Sequence, residues 1–387
     1  MKILLCLSKT GGGHHSAANA IRNAITERCM ANNPVEANCQ IIIDDVVEGS
    51  NPLHNLFVVL YNLLLRYHQS WMKYYYAIIE FFKPNNSAFG YWMASGYVKG
   101  LLRRVQPSIV VSVHPMANHY LSRALRELKL ANKPKLIVVV TDPNAEIWSG
   151  WACDDADLTI AANDLVKQRL IELGVRAERI LILGMPVDPE FLHPALINRH
   201  QFLNGLGLNP KLITICITAG WAGGGNTIAI YTALSEVRKV IQVIVVCGNN
   251  ELLFKEVKEK SSSMNFQTAV LRELPSLSDA MNACDLLVTK AGGLTTYEAV
   301  ARQIPMAIDM LTEAMPQESG TAELLIDAGL AKAIKQSSDI VGIVNALEHV
   351  ENRSLKSITS KYNLNKIDAV YKMADIIFSN CTKEPIN

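Results

Sequence analysis

The sequence predicts an α/β protein built from two doubly wound parallel-sheet domains. Three observations carry that prediction. The chain has 387 residues, beyond the size at which a single core usually stops growing. Short apolar runs alternate with helical patterns along most of its length, as parallel sheets covered on both faces require. The alternation stops at a polar stretch between about residues 193 and 210 and then begins again, with a glycine loop after the opening strand of each half.

Lys2 to Ser8 reads as the first strand; Gly11, Gly12 and Gly13 form a loop; and His14 to Arg28 places Ala17, Ala18, Ile21, Ala24 and Ile25 at helical spacing. His14 and His15 stand where that helix begins, at the end of a sheet where α/β proteins hold ligands. Gln40 to Asp44 is a second strand. Strands follow at Ile109 to Val113, ending in His114-Pro115, and at Lys135 to Val140, ending in Thr141-Asp142-Pro143. Asp157 to Ala162 and Arg179 to Leu183 complete the first sheet, with Asn163 capping a helix from Asp164 to Leu173. Asp154, Asp155 and Asp157 precede a strand and have no histidine or glutamate at ligand spacing, so they predict no metal site.

The second half opens with strand Leu212 to Thr218 and the loop Gly220-Trp221-Ala222-Gly223-Gly224-Gly225-Asn226, followed by a helix to Lys239. Strand Val243 to Cys247 ends in Gly248-Asn249-Asn250. After a strand from Ala269 to Leu271 and a helix from Leu277 to Cys284, strand Asp285 to Thr289 runs through Lys290-Ala291-Gly292-Gly293 into a helix from Leu294 to Ala301. The amides around Gly292 and Gly293 sit at the positive end of that helix, where phosphate binds. Thr295 offers a hydroxyl there, and Glu298, about one turn on, a carboxylate for two neighbouring sugar hydroxyls. A further strand, Pro305 to Ile308, leads through Met315-Pro316-Gln317-Glu318 into another helix, and an amphipathic tail from Leu355 to Phe378 closes the chain.

Asn51 to Val105 departs from this rhythm. Leu53, Leu56, Phe57, Leu60, Tyr61, Leu64, Trp71, Tyr74, Tyr75, Tyr76, Ile78, Ile79, Phe81, Phe82, Phe89, Tyr91 and Trp92 are interleaved with six basic side chains, Arg66, Lys73, Lys83, Lys99, Arg103 and Arg104, against one acidic, Glu80. Apolar and basic residues sharing helices are how a monotopic protein lies on anionic lipid. No run approaches eighteen uninterrupted apolar residues, so no transmembrane span is expected.

Composition excludes several classes. A net charge of +1 carries no nucleic-acid signature. The eight cysteines show no CxxC pair or metal spacing and suit a reducing cytosol, with Cys6, Cys216, Cys247 and Cys284 in or beside apolar strands. Neither opening glycine loop fits GxGxxG or GxxxxGK, which argues against dehydrogenases and ATP-driven enzymes.

Taken in order, Gly11-Gly12-Gly13-His14, Ser112-Val113-His114-Pro115, Val140-Thr141-Asp142, Gly184-Met185-Pro186-Val187, Cys247-Gly248-Asn249-Asn250, Ala283-Cys284-Asp285, Lys290-Ala291-Gly292-Gly293, Glu298-Ala299 and Gln317-Glu318 make a chain that resembles the diacylglycerol glycosyltransferases. These are the plant monogalactosyldiacylglycerol synthases and the bacterial processive diacylglycerol glucosyltransferases. The resemblance implies a GT-B fold: an acceptor domain over 1–195, a UDP-sugar domain over 205–365, and a last helix at about 366–387 returning to the first. It implies an inverting hexosyl transfer from a UDP-hexose to diacylglycerol without metal or other cofactor, by a cytoplasmic protein peripheral on the membrane.

In that reading His14 is the base and Asp142 a second base or its orienter. Gly12, Gly13 and His114 line the acceptor side, and Gly223, Gly224, Asn249, Lys290, Gly292, Gly293 and Thr295 hold the diphosphate side. Glu298 takes the ribose, and Gln317 with Glu318 the hexose. Pro316 and Thr321 stand where plant members carry glycine and asparagine, and Trp221 is unusual in its loop. Two rivals share the scaffold. One is the N-acetylglucosaminyltransferase of lipid II synthesis, whose Gly-Gly-Thr-Gly-Gly-His loop this chain lacks; the other is a non-catalytic UDP-sugar or lipid sensor, against which His14, Asp142 and Glu298 weigh.

Overall fold

The computed structural model describes residues 1–32, 39–130, 132–274, 276–347 and 368–381. The chain divides into two compact units, one comprising Met1–Asn62, Lys73–Pro189 and Lys366–Asn387, the other Leu63–Met72 and Glu190–Asn365.

The sheet of the first unit contains β1 (Lys2–Leu7), β2 (Gln40–Asp45), β3 (Ile109–Ser112), β4 (Lys135–Val139), β5 (Leu158–Ala161) and β6 (Ile180–Ile182). All pairings are parallel, in the order β2-β1-β3-β4-β5-β6. β1 and β3 are buried almost throughout, as expected of central strands with helices on both faces. Because the order reverses between β1 and β3, their following loops part there, opening the crevice in which such sheets hold ligands.

A short helix, Val46–Ser50, and three longer ones, Pro52–Tyr67, Met72–Phe82 and Ala88–Val105, intervene between β2 and β3. The last of them packs its Ala94, Val98, Leu101 and Leu102 inward and ends on Gln106 in the left-handed region at φ 50°. Helix Ala369–Cys381 lies on helix Gly13–Asn32, burying Val370, Met373, Ala374 and Ile377. Tyr371 Oη donates to Glu27 Oε2 at 2.6 Å and Arg28 Nη2 reaches Asp375 Oδ2 at 3.1 Å.

The second unit repeats the plan with β7 (Ile213–Thr218), β8 (Ile241–Val246), β9 (Gln267–Leu271), β10 (Leu286–Thr289), β11 (Met306–Asp309) and β12 (Ala331–Ile334) in the parallel order β12-β11-β10-β7-β8-β9. Here the reversal falls between β7 and β10. Helix Arg199–Gly205 starts with a capping box, Asn198 accepting from the Gln201 amide and Gln201 returning the bond. Its Arg199 carries the guanidinium into the core, where Nη2 meets Asp285 Oδ2 at 3.0 Å.

Element types agree with expectation along both sheets, and the differences have local causes. Asp285 is not the first residue of β10. Its carboxylate accepts from the Thr214 amide at 2.8 Å and pairs with Arg199, serving as a buried brace. The helix after the first glycine loop of this unit does not run to Lys239. It spans Thr227–Ala233, tightens to a 3-10 turn at Leu234–Glu236, and β8 starts two residues earlier than expected. The early start buries Gln242, whose Nε2 donates to Asn209 O and Thr214 Oγ1, each at 2.8 Å. β12 carries no strand signature in the sequence because its Lys332 interrupts the apolar run at an exposed position of an edge strand. Of the amphipathic tail, the part at 355–367 lies outside the described residues; the helix that is described is Ala369–Cys381.

Candidate active site

In the first unit the candidate residues gather at the reversal between β1 and β3. Thr10 follows β1, Val113 and His114 follow β3, and Thr141 and Asp142 follow β4. His14 stands in the first turn of helix Gly13–Asn32, brought there by the glycine loop. Gly11 takes φ 68°, a conformation other residues rarely adopt, and a side chain at Gly13 would meet nothing within 4 Å. The loop is clamped from helix Pro52–Tyr67, where Asn62 accepts from the Gly11 amide at 3.0 Å and donates to Lys9 O at 2.8 Å.

Hydrogen bonding fixes both histidine tautomers. His14 Nδ1 lies 2.7 Å from the Val113 carbonyl, and a carbonyl can only accept, so Nδ1 carries the proton. Nε2 of His14 is then the basic nitrogen. His114 is the reverse. As N-cap of helix Pro115–Glu127 its Nδ1 accepts from the Met116 amide at 3.2 Å, so Nε2 donates to Thr10 Oγ1, 2.7 Å away.

The two rings meet edge to face at 4.4 Å between centroids. Burial is the largest cause lowering both. His14 is brought down to about 4, its bond to Val113 opposing the shift, and His114 lies well below the ordinary value, with His14 adding to the effect. Both are therefore neutral near pH 7, as a proton acceptor must be.

Asp142 is placed beside this pair. Its Oδ2 accepts from Trp151 Nε1 at 2.7 Å, and the Trp151 ring lies 6.2 Å from that of His14. The bond that orients His14 comes from the Val113 carbonyl, with Thr141 Oγ1 at 3.4 Å; Asp142 positions the tryptophan wall. Gly12 supplies the carbonyl that accepts from the Ser16 amide at 3.0 Å and so opens the helix.

In the second unit the loops after β7, β8, β10 and β11 converge. Gly223 (φ 66°) and Gly248 (φ 60°) sit back to back. A side chain on the first would run into the Cys247 carbonyl and Asn250, and one on the second into the Gly220 and Trp221 carbonyls. Asn249 N donates to Trp221 O at 3.1 Å, Asn250 Nδ2 to Gly223 O at 2.6 Å, and Gly224 N to Ala219 O at 3.2 Å. Gly223, Gly224 and Asn249 thus form one interlocked double loop.

Lys290 and Glu318 line a cavity of about 180 Å³ together with Asn226, Asp309, Thr312 and Ser319. Burial lowers Lys290 and raises Glu318, and each partly offsets the other's shift. Helix Gly293–Ala301 starts beside this cavity from Gly292, which has no side-chain cap and open space where a Cβ would stand. Thr295 lies half-buried in its first turn and Glu298 is buried one turn on. Gln317, in the first turn of helix Pro316–Asp327, turns its Nε2 toward Met315 Sδ at 3.6 Å.

Sequence reasoning missed Thr10, Asn62, Thr141 and Trp151 in the first unit, and Asn226, Asp309 and Thr312 in the second. Asp309 had one legible signal, an acid closing a buried strand. The acidic triplet, expected to bind no metal, has other work. Asp154 pairs with Arg176 at 3.1 Å, Asp155 with Arg126 at 2.7 Å, and Asp157 accepts from the Leu136 amide. Among the described residues no cluster of three or more metal-ligating side chains occurs.

The stretch from 51 to 105 presents a greasy surface. Phe81 is 81% exposed, Trp92 71% and Phe82 69%, and Leu56, Phe57, Leu60, Trp71, Tyr74, Ile78 and Phe89 are also exposed. Tyr61 and Tyr75 join the first two helices edge to face at 5.6 Å. Glu80 accepts from Ser149 Oγ at 3.1 Å, tying helix Met72–Phe82 to the loop that carries Trp151. The basic excess is smaller than its count. Lys99 is paired with Glu127 at 2.5 Å, and Arg66 Nε donates to Ala222 O; Lys73, Lys83, Arg103 and Arg104 are exposed, the two arginines at the end of helix Ala88–Val105. No helix among the described residues is long and apolar enough to cross a membrane.

Comparison with known proteins bears on both units. Residues 14–187 match the family model for monogalactosyldiacylglycerol (MGDG) synthase, and 226–377 that for the glycosyltransferase family 28 C-terminal domain. A probable monogalactosyldiacylglycerol synthase of Nicotiana tabacum is 28% identical, covering 96% of this chain and 69% of its own. A processive diacylglycerol beta-glucosyltransferase of Bacillus pumilus is 23% identical over 98% and 97%. Among solved structures, MurG of Acinetobacter baumannii aligns at TM-score 0.57 with 14% identity, covering 98% of this chain and 99% of its own. A putative UDP-N-acetylglucosamine 2-epimerase of Listeria monocytogenes aligns at 0.62 with 14% identity, over 98% and 96%. At such identity these two speak to the fold alone, which is that of GT-B proteins.

Proposed function

Since the chain belongs to the monogalactosyldiacylglycerol synthase family of glycosyltransferases and is a hexosyltransferase, we propose that it moves a hexose from a UDP-sugar to diacylglycerol at a membrane surface, with inversion at the anomeric carbon. The observation that carries this reading is His14. Its Nδ1–H is committed to the Val113 carbonyl, so Nε2 holds a lone pair on a ring that stays neutral. The acceptor hydroxyl gives its proton to that nitrogen as its oxygen attacks the anomeric carbon. The bond from that carbon to the diphosphate oxygen breaks as the new one forms. On the donor side, the amides at Gly292 and Gly293 and the Lys290 ammonium meet the charge that develops on the departing UDP.

The exposed aromatic face of helices Pro52–Tyr67, Met72–Phe82 and Ala88–Val105 supports docking on lipid, where diacylglycerol resides. Arg103 and Arg104 add attraction to anionic headgroups. The test is to incubate the purified protein with a panel of UDP-sugars and diacylglycerol vesicles and weigh the lipid products. A product heavier by one hexose, formed with one sugar of the panel, supports the reading; no glycosylated lipid with any of them overturns it.

A further inference from the structure

Asp309 closes β11 at the floor of the second unit's cavity, and two arrangements converge on its carboxylate. The first is a set of hydrogen bonds. Oδ2 accepts from the Asn226 amide at 2.9 Å, and Oδ1 accepts from Asn226 Nδ2 at 3.0 Å and from the Leu311 amide at 3.1 Å. Asn226 is held again from Thr312, whose Oγ1 accepts from Nδ2 at 3.1 Å. Asp309 therefore ties the end of the glycine loop after β7 to the loop after β11, two elements 83 residues apart.

The second arrangement is the approach to Lys290. Gly225 takes φ 96°, and the position a Cβ would occupy there lies 3.1 Å from Asp309 Oδ2 and 3.1 Å from Lys290 Cε. Acid and base thus close on one point over a bare glycine, and both line the same cavity. The charged groups facing Lys290 there are Asp309 from β11, Glu318 from helix Pro316–Asp327 and Glu313 from the loop between them. Burial works against the ammonium, while Glu318 and Asp309 favour it.

We propose that Asp309 is a positioning residue for the donor, fixing the Gly223–Asn226 loop through Asn226 and supplying counter-charge that keeps Lys290 cationic where the UDP diphosphate is held. The inference rests on the reading of the second unit as the UDP-sugar site and adds to it a residue that need not touch the donor. Two roles in one carboxylate predict two separable defects. Removing the charge exposes Lys290 to the full cost of its burial, so the lysine deprotonates at lower pH. Removing the tether loosens the loop at every pH.

The experiment is calorimetric titration of UDP into the full chain between pH 6 and pH 9. Wild type is expected to bind with an affinity that declines at the alkaline end. In Asp309→Asn that decline moves to lower pH, with binding at pH 9 on the order of tenfold weaker relative to wild type than at pH 6, the scale of one lost charge-assisted contact to phosphate. Asn226→Ala should weaken binding by a similar factor at all pH values without moving the decline. In Asp309→Asn/Lys290→Arg the alkaline decline should vanish, because guanidinium does not deprotonate in this range.

An alkaline decline unmoved in Asp309→Asn, in protein whose melting temperature matches wild type, overturns the counter-charge role, and unchanged binding in Asn226→Ala overturns the tether. If Asp309→Asn does not fold, Asp309→Glu decides: charge retained with the tether displaced should weaken binding without moving the decline, and a shifted decline overturns the proposal. Absence of UDP binding by wild type would fall on the donor-site reading itself, not on Asp309.

Discussion

His14 Nδ1 is held 2.7 Å from the carbonyl oxygen of Val113, so a backbone group sets the tautomer of this histidine. A backbone carbonyl cannot itself titrate, and it keeps Nε2 basic without adding a second ionisable partner. His14→Ala should therefore lower turnover by about a hundredfold or more, the usual scale for a lost general base, with UDP affinity nearly unchanged. A melting temperature that falls several degrees along with activity would count against a chemical role.

The pH dependence follows from burial. Because His14 is lowered to about 4, kcat/KM should show no acid limb near 6.5 from this residue, and the limb should appear close to 4. Stability behaves differently. His14, His54, His114 and His119 are all lowered, each chiefly by burial, so between their folded and unfolded values the unfolded chain binds more protons. Stability is then complete above the unfolded value near 6.5 and falls as pH drops below it, by about 1.4 kcal/mol per pH unit for each proton of difference. Asp44, Glu48 and Glu318 are raised by burial and oppose the trend between their unfolded and folded values. Urea midpoints at pH 7.5, 6.5 and 5.5 would check this, and a flat series would contradict it.

Arg199 and Asp285 form a buried pair at 3.0 Å. Arg199→Met should destabilise by roughly 3–5 kcal/mol, because Asp285 is left charged without its partner. The double replacement Arg199→Met/Asp285→Leu should recover part of that loss, and denaturant unfolding of both variants measures the difference. A single variant as stable as wild type would show that the brace is dispensable.

Membrane docking should depend more on aromatic residues than on charge. Phe81→Asp/Phe82→Asp is expected to cut sedimentation with diacylglycerol-containing vesicles severalfold at any ionic strength. Arg103→Glu/Arg104→Glu should weaken it only on anionic vesicles at low salt. Lys99→Glu should do less than either arginine, since Lys99 already spends its charge on Glu127. Equal binding by all variants would remove this face from consideration.

The parts of the fold that were legible in the sequence are those set by neighbours along the chain. Buried strands announce themselves as apolar runs, and loops such as Gly11 to Gly13 and Gly292 to Gly293 mark the turns into helices, so the clustering ends of both sheets could be read off. What escaped depends on residues far apart. Nothing near Asp309 reveals Asn226, nothing near Asp142 shows that its carboxylate accepts from the indole of Trp151, and no local pattern says that Lys99 meets Glu127. Gln242 was hidden for a related reason. A glutamine inside a strand looks like an interruption until Asn209 and Thr214 are seen to satisfy it.

The docking of helix Ala369–Cys381 on helix Gly13–Asn32 also bears on how the polypeptide matures on the ribosome. Helix Gly13–Asn32 waits for a segment 344 residues further along before its docked face is covered, whereas the second unit, drawn mainly from Glu190–Asn365, is synthesised in between. During synthesis the first unit therefore passes through an interval with the face of helix Gly13–Asn32 that meets Ala369–Cys381 still uncovered. That interval is when a nascent chain is most open to chaperones and to misassociation, so its length, set by elongation speed through the second half, becomes a determinant of yield.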